Sequence, residues 1–351
     1  MGKKRFEYID AMRGFTMLLV VCTHVAIISY RQANIVTFHA ALSTFRMPLF
    51  FFISGFILYK ASRVWDTATT VDFLKKKFMV QIIPTLFFFV LFTKMFMGGV
   101  IIEGLCETSK NGYWFTISLF EFFMIYSLTS WTAKRLNIRD KWLFAVVIPG
   151  VWLTAFSTLT LARLFSHEVV GLLQIMNLSY FIYFYIGTCV RKHFDVFLRM
   201  TSNRLLMSLI IGIWFFNVLF PDIYTINGNP HLIALLQSVS GIVSGLAGLT
   251  IVFLFFRSYE HVFTCETRIG RWLQYVGRRT LDVYLLHYFF LPRHLEMVGV
   301  FFKENPNPTL EFFCTLIIAV MVVSLCLVVS NVMRLSPWMS KYLFGVKLKK
   351  E

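Results

Sequence analysis

The chain has 351 residues, 57% of them hydrophobic, 18% aromatic and only 15% charged, with a mean hydropathy of +0.68. A soluble domain carries about a quarter charged residues, so an ordinary soluble enzyme is excluded. The formal charge of +16 would point to nucleic acid in a polar chain. Here its distribution between apolar runs assigns it to a membrane instead.

Runs of about 20 apolar residues can cross a bilayer. Ten are read, at approximately 12–31, 39–59, 78–98, 112–133, 142–160, 171–190, 204–220, 233–256, 280–300 and 310–333. The expected fold class is all-α, a polytopic integral membrane protein of about ten transmembrane helices with cytoplasmic N- and C-termini. Residues 1–351 are read as a single transmembrane domain in the cell's inner (plasma) membrane. With that topology 27 of the 34 Lys and Arg lie on the cytoplasmic side, including Lys3, Lys4, Arg5, Lys347, Lys349 and Lys350. Six lie outside (Arg31, Lys94, Lys110, Arg163, Arg293 and Lys303), and Arg46 remains within a span. This positive-inside bias supports the topology independently of hydropathy and accounts for the charge with no nucleic-acid partner.

The opening, MGKKRFEYIDAMRG before an apolar run, has the charge order of a signal peptide. It lacks a small-residue cleavage site and the run holds His24, so a retained first span is expected. Arg13 and His24 are eleven residues apart, close to three helical turns, and so share a face roughly 16 Å apart along the axis. Asp10 and Met17 share that side of the helix, each within about 60° of Arg13 at 3.6 residues per turn. Arg13 at the cytoplasmic end is also what orientation rules place there, and Asp10 with Arg13 would then be an exposed ion pair of small value.

The second run, FRMPLFFFISGF, is interrupted by Arg46 and contains Pro48 and Gly55. His24 lies seven residues before the outer-edge Arg31, and Arg46 seven after the outer-edge His39, so each is roughly 10 Å in from the outer boundary. Adjacent antiparallel helices would set imidazole beside guanidinium, and a neighbouring cation favours the neutral imidazole that a general base needs. Alternatives exist for each alone: a histidine satisfied by a helix–helix hydrogen bond and an arginine snorkelling outward. Matched depth weakens both. Charges in lipid are expensive and mark function.

Further along, Glu121 in GYWFTISLFEFFMIY must pair, neutralise or face water, which makes it a functional candidate. The outer segments PDIYTINGNPH near 221–231 and KENPNP at 303–308 read as turns. Gly241, Gly245 and Gly248 in the eighth span are at helix-packing spacing and read as close helix contact, not a site. His287, with Tyr284 one turn earlier, is either a substrate contact or half of a structural hydrogen bond, the simpler reading. The six cysteines show no metal-ligand spacing and read as packed thiols, so no metal is expected.

These residues resemble a known family. YIDAMRGFTMLLVVCTHV resembles the first-helix signature of the membrane-bound acyltransferase 3 family, an Arg followed by a His. FRMPLFFFISGF is similar to its second-helix signature, through Arg46, Pro48, the Phe run and Ser54-Gly55-Phe56. GYWFTISLF at 112–120, YFIYFYIGTCVRK at 180–192 and VGRRTLDVYLLHYFF at 276–290 resemble its fourth, sixth and ninth helices. The form it resembles is the standalone one, without an SGNH esterase-like domain. Glu121 aligns with no motif of the family.

The resemblance implies O-acylation: transfer of an acyl group, commonly acetyl, from cytoplasmic acyl-CoA to a hydroxyl of an extracytoplasmic or lipid-linked glycan. His24 would be general base or transient acyl carrier, and Arg46 would orient it or stabilise the oxyanion. Glu121 joins them as a catalytic candidate with an open role. Arg13, helped by Arg278 and Arg279, is expected to bind the phosphates of acetyl-CoA, with Asp10 counted among the residues of the cofactor site. Ser54, Trp114, Tyr284 and His287 are expected on the substrate path. Partners are acyl-CoA, the glycan acceptor and the lipid bilayer; homodimerisation is left open. The rival classes are a glycan or lipid transporter or flippase, which predicts paired repeats with broken helices, and acylation of a non-carbohydrate small molecule.

Overall fold

The computed structural model describes residues 6–31, 37–220, 223 and 230–345. Lys3, Lys4, Arg5, Lys347, Lys349, Lys350, most of the 221–231 turn and the side chain of His39 lie outside the described residues. Among the described residues every regular element is a helix and there is no strand. Six helical runs are long and apolar enough to cross a membrane: Glu7–Ser29, Ala41–Leu58, Thr67–Met97, His167–Lys192, Leu232–Ser258 and Pro308–Met333. Phe194–Thr201 and Arg204–Leu219, bent by 82°, make a seventh if they form one crossing. Of the other expected spans, Trp114–Arg135 is one continuous helix of 22 residues but is not among the apolar six, Asp140–Phe156 has 17 residues, and the ninth is shorter still. Thr280–Phe290 has 11 residues and reaches only about 16 Å of the roughly 30 Å of hydrocarbon.

The chain folds as two compact units. The first comprises Met1–Ile57, Gly187–Thr280 and Phe290–Leu325; the second comprises Leu58–Ile186, Leu281–Phe289 and Cys326–Glu351.

In the first unit, helix α1 (Glu7–His24) is continuous and carries the apolar run MLLVV, buried on most sides. It passes without a break in the chain into a π-helical turn, Val25–Ser29, closed by Tyr30 N donating to Val25 O at 3.1 Å. Helix α2 (Thr37–Leu58) contains Pro48, which removes one backbone donor from its interior. The helix Arg268–Arg278 lies directly against α1. A Cβ on Gly14 would collide with the Leu273 carbonyl, and one on Gly277 with the Asp10 carbonyl, so the two backbones touch where neither residue has a side chain. Of the three glycines expected at a helix contact, Gly248 meets Phe45 and the Trp214 indole, whereas a Cβ on Gly241 would have nothing within 4 Å. Spacing identified the helix but not which glycine faces the neighbour.

The second unit is organised around the turn Lys110–Gly112, which runs through positive φ values of 45°, 50° and 97°. Gly112 is required there twice over: its φ is left-handed and a Cβ would strike the Tyr288 ring. Tyr284 and Tyr288 both donate their hydroxyls to Gly112 O, at 3.1 and 3.3 Å. Tyr113 donates to Leu285 O at 2.9 Å. Lys110 is 1% exposed; its ammonium donates to Leu105 O at 2.5 Å and Gly171 O at 3.0 Å. These carbonyls close the helices Ile101–Cys106 and His167–Leu172, so one cation caps two helix C-termini. This unit also holds a buried ion pair, with Arg334 Nη2 2.7 Å from Asp282 Oδ2.

Candidate active site

His24 is the last residue of α1, half-buried, and the π turn starts at the next residue. Arg46, also half-buried, reaches α1 from α2: its Nη1 donates to Thr23 Oγ1. Thr23 is 4% exposed and in turn donates to Leu19 O at 3.1 Å. One residue of helix rise, about 1.5 Å, separates Thr23 from His24. The guanidinium therefore joins α1 at the level of the imidazole. Ser54, two turns further along α2, turns its hydroxyl back to Phe50 O at 2.8 Å.

Because α1 is unbroken from Glu7 to His24, Arg13 and His24 keep their separation of roughly 16 Å along one rigid element. At the Arg13 end, Asp10 is buried, its side chain 7% exposed, between two guanidiniums. Arg13 Nη1 lies 4.0 Å from Asp10 Oδ1, and Arg278 Nε lies 3.9 Å from Asp10 Oδ2. Arg13 also donates to Thr280 Oγ1 at 2.8 Å, and Arg278 to Gln274 Oε1 at 2.8 Å. Arg279 lies over the Tyr275 ring at 5.2 Å. The carboxylate holds two cations side by side that would otherwise repel, and Gln274, to which Arg278 donates, itself donates to Glu7 Oε2 at 3.3 Å. Arg13 is 31% exposed at the side chain and Arg278 43%, so an anion can reach them. Such a cluster suits phosphate groups, which arginine binds in a fixed fork.

Glu121, Trp114, Tyr284 and His287 belong to the second unit. Glu121 is half-buried, its Oε2 has no hydrogen-bond partner among the described residues, and Lys110 is the cation that acts on it. Trp114 stacks on Tyr180 at 5.9 Å. The Tyr284 hydroxyl accepts from Phe115 N at 3.2 Å besides donating to Gly112 O. His287 is fully buried, with Nδ1 2.8 Å from Tyr284 O and 3.0 Å from Val283 O. Tyr284 and His287 are thus engaged with backbone in the positions seen. Among the described residues no group of three or more His, Cys, Asp or Glu is placed to hold a metal ion.

Three participants escaped the sequence reading. Thr23 sits in an apolar run where a threonine looks merely tolerated. Thr280 reads as a helix start. Lys110 counts as one more outer-loop charge; the Asn-Gly that follows it was the available sign of a tight turn.

A family model described as an acyltransferase domain, of the acyltransferase 3 type, matches residues 6–329. No curated protein and no solved structure matches the chain.

Proposed function

From the premise that this chain belongs to the acyltransferase 3 family, as a multi-pass membrane acyltransferase, we propose that it moves an acetyl group from cytoplasmic acetyl-CoA to a hydroxyl of an extracytoplasmic or lipid-linked glycan. The observation that carries the reading is the division of labour along α1. Two part-exposed guanidiniums, Arg13 and Arg278, stand at one end, and at the other His24 ends the helix where Arg46 docks on Thr23.

Arg13, Arg278 and Arg279 bind the coenzyme A phosphates at the cytoplasmic mouth, with Asp10 keeping the Arg13 and Arg278 guanidiniums together. The pantetheine arm extends along α1 towards His24. His24 removes the proton from the attacking sugar hydroxyl, and the alkoxide adds to the thioester carbonyl. Arg46 donates to the oxyanion of the tetrahedral intermediate. The intermediate collapses with cleavage of the C–S bond, and the imidazolium returns its proton to the departing thiolate. The products are an O-acetyl ester and free coenzyme A. Glu121, with Lys110 as its cation, is a further catalytic candidate, and Ser54, Trp114, Tyr284 and His287 are assigned to the acceptor path.

Membranes containing the protein should release free coenzyme A from acetyl-CoA when supplied with an acceptor glycan, and His24→Ala and Arg46→Ala should each abolish the release. Full activity in both variants would reject the site.

A further inference from the structure

We propose that Thr23 is a positioning residue, whose hydroxyl fixes the plane of the Arg46 guanidinium at the level of His24. The inference rests on the acyl-transfer reading of His24 and Arg46 and extends it to a side chain that is neither of those two residues.

The donor and acceptor inventory decides the arrangement. A threonine hydroxyl has one proton and two lone pairs. The proton of Thr23 is committed to Leu19 O, at 3.1 Å. The oxygen can therefore only accept, and what it accepts is the Arg46 Nη1 proton. Thr23 is 4% exposed, so water does not compete with the guanidinium for it. Its β-branched side chain is held to few rotamers in a helix, and the bond to Leu19 O selects one.

Guanidinium is a rigid planar fork of five N–H donors. Tethering it at one Nη1 restricts where the others can point. An oxyanion donor is effective when aimed beforehand at the place where charge develops. Thr23 therefore contributes to the reaction without touching substrate, by removing a rotational freedom of Arg46 before the acyl group arrives. Valine has nearly the same shape without the hydroxyl; serine keeps the hydroxyl without the methyl.

The test compares Thr23→Val and Thr23→Ser in the full-length protein. Thr23→Val should lower kcat by about ten- to a hundredfold while KM for acetyl-CoA moves by less than about twofold, since a misplaced group costs the chemical step and not donor binding. Thr23→Ser should restore kcat to within about threefold of the parent, because the hydroxyl is kept. A Thr23→Val enzyme with parental kcat, or a serine variant as impaired as the valine one, overturns the proposal. The tether is also read without turnover. Labelling of Arg46 by phenylglyoxal, followed by mass spectrometry, should accelerate in Thr23→Val and remain parental in Thr23→Ser. Equal labelling in the parent and Thr23→Val overturns the tether. Failure of the parent to transfer any acyl group strikes the proposed function instead, and the labelling still decides on Thr23.

Discussion

Arg46 and Thr23 are joined by a hydrogen bond from the guanidinium of α2 to the hydroxyl of α1, one residue before His24. The charge carried by the second helix is thereby anchored at the residue next to the histidine that ends the first. Loss of His24 as general base in His24→Ala should reduce kcat by about 10²- to 10⁴-fold. Loss of an oxyanion donor in Arg46→Ala should reduce it by about 10²- to 10³-fold. Arg46→Lys should stay far below the parent, since a point charge cannot both hold Thr23 and present a planar fork. Steady-state rates in detergent or nanodiscs check all three, with circular dichroism confirming the helical fold.

Donor binding should fail separately from chemistry. Arg13→Ala removes a guanidinium 31% exposed beside buried Asp10, and KM for acetyl-CoA should rise by about tenfold with a smaller change in kcat, the signature of lost uniform binding. Raising salt should weaken donor binding in the parent more than in the variant, because exposed charges are screened. A variant whose kcat falls with KM unchanged would place Arg13 in the chemical step and contradict the assignment.

The amount legible in the sequence follows from what hydropathy records. Apolar runs of spanning length are visible because most residues facing lipid or core are apolar, and the helices from Glu7 and from Pro308 fall where those runs lie. Backbone breaks are not visible: the π turn Val25–Ser29 is built from VAIIS, which reads as uninterrupted helix. Neither is the double engagement of Thr23. A threonine in an apolar helix commonly bonds back to the carbonyl four residues earlier, as it does to Leu19 O; its second bond depends on a residue 23 positions away. Arg13, His24 and Arg46 stood out because charge in an apolar run is costly, whereas Lys110 was hidden by lying between runs.

The contact of α1 with Arg268–Arg278 depends on glycine. Gly14→Ala and Gly277→Ala each drive a methyl into a backbone carbonyl that cannot rotate away. Each should destabilise the protein by at least about 1–3 kcal/mol, the usual cost of overpacking. Gly241→Ala is the control: nothing lies within 4 Å of its added methyl, and better helix propensity should make it neutral or stabilising by up to about 1 kcal/mol. Thermal unfolding in detergent separates the two kinds of site.

Lys110 should give the protein a signature in alkaline solution. Burial lowers its ammonium from 10.5 to about 8, against a smaller opposing effect of Glu121. Between those values the unfolded chain holds a proton that the native chain has released. Stability rises with pH wherever the unfolded state binds more protons, so this residue's contribution should improve from about pH 8 to about pH 10.5. Lys110→Met should lack that improvement. A difference in unfolding temperature between parent and variant that stays flat across the window would refute the assignment.

The central claim is that one site draws its donor from the cytoplasm and delivers to a hydroxyl at the far end of α1. Sealed vesicles of known orientation, loaded with radiolabelled acetyl-CoA on the face bearing Arg13 and Arg278 and offered glycan on the opposite face, test it directly. Label should appear in alkali-labile ester on the glycan, with equimolar coenzyme A released on the donor side, and none should appear with His24→Ala. Labelling only when donor and acceptor share a face, or undiminished labelling with His24→Ala, would contradict the account.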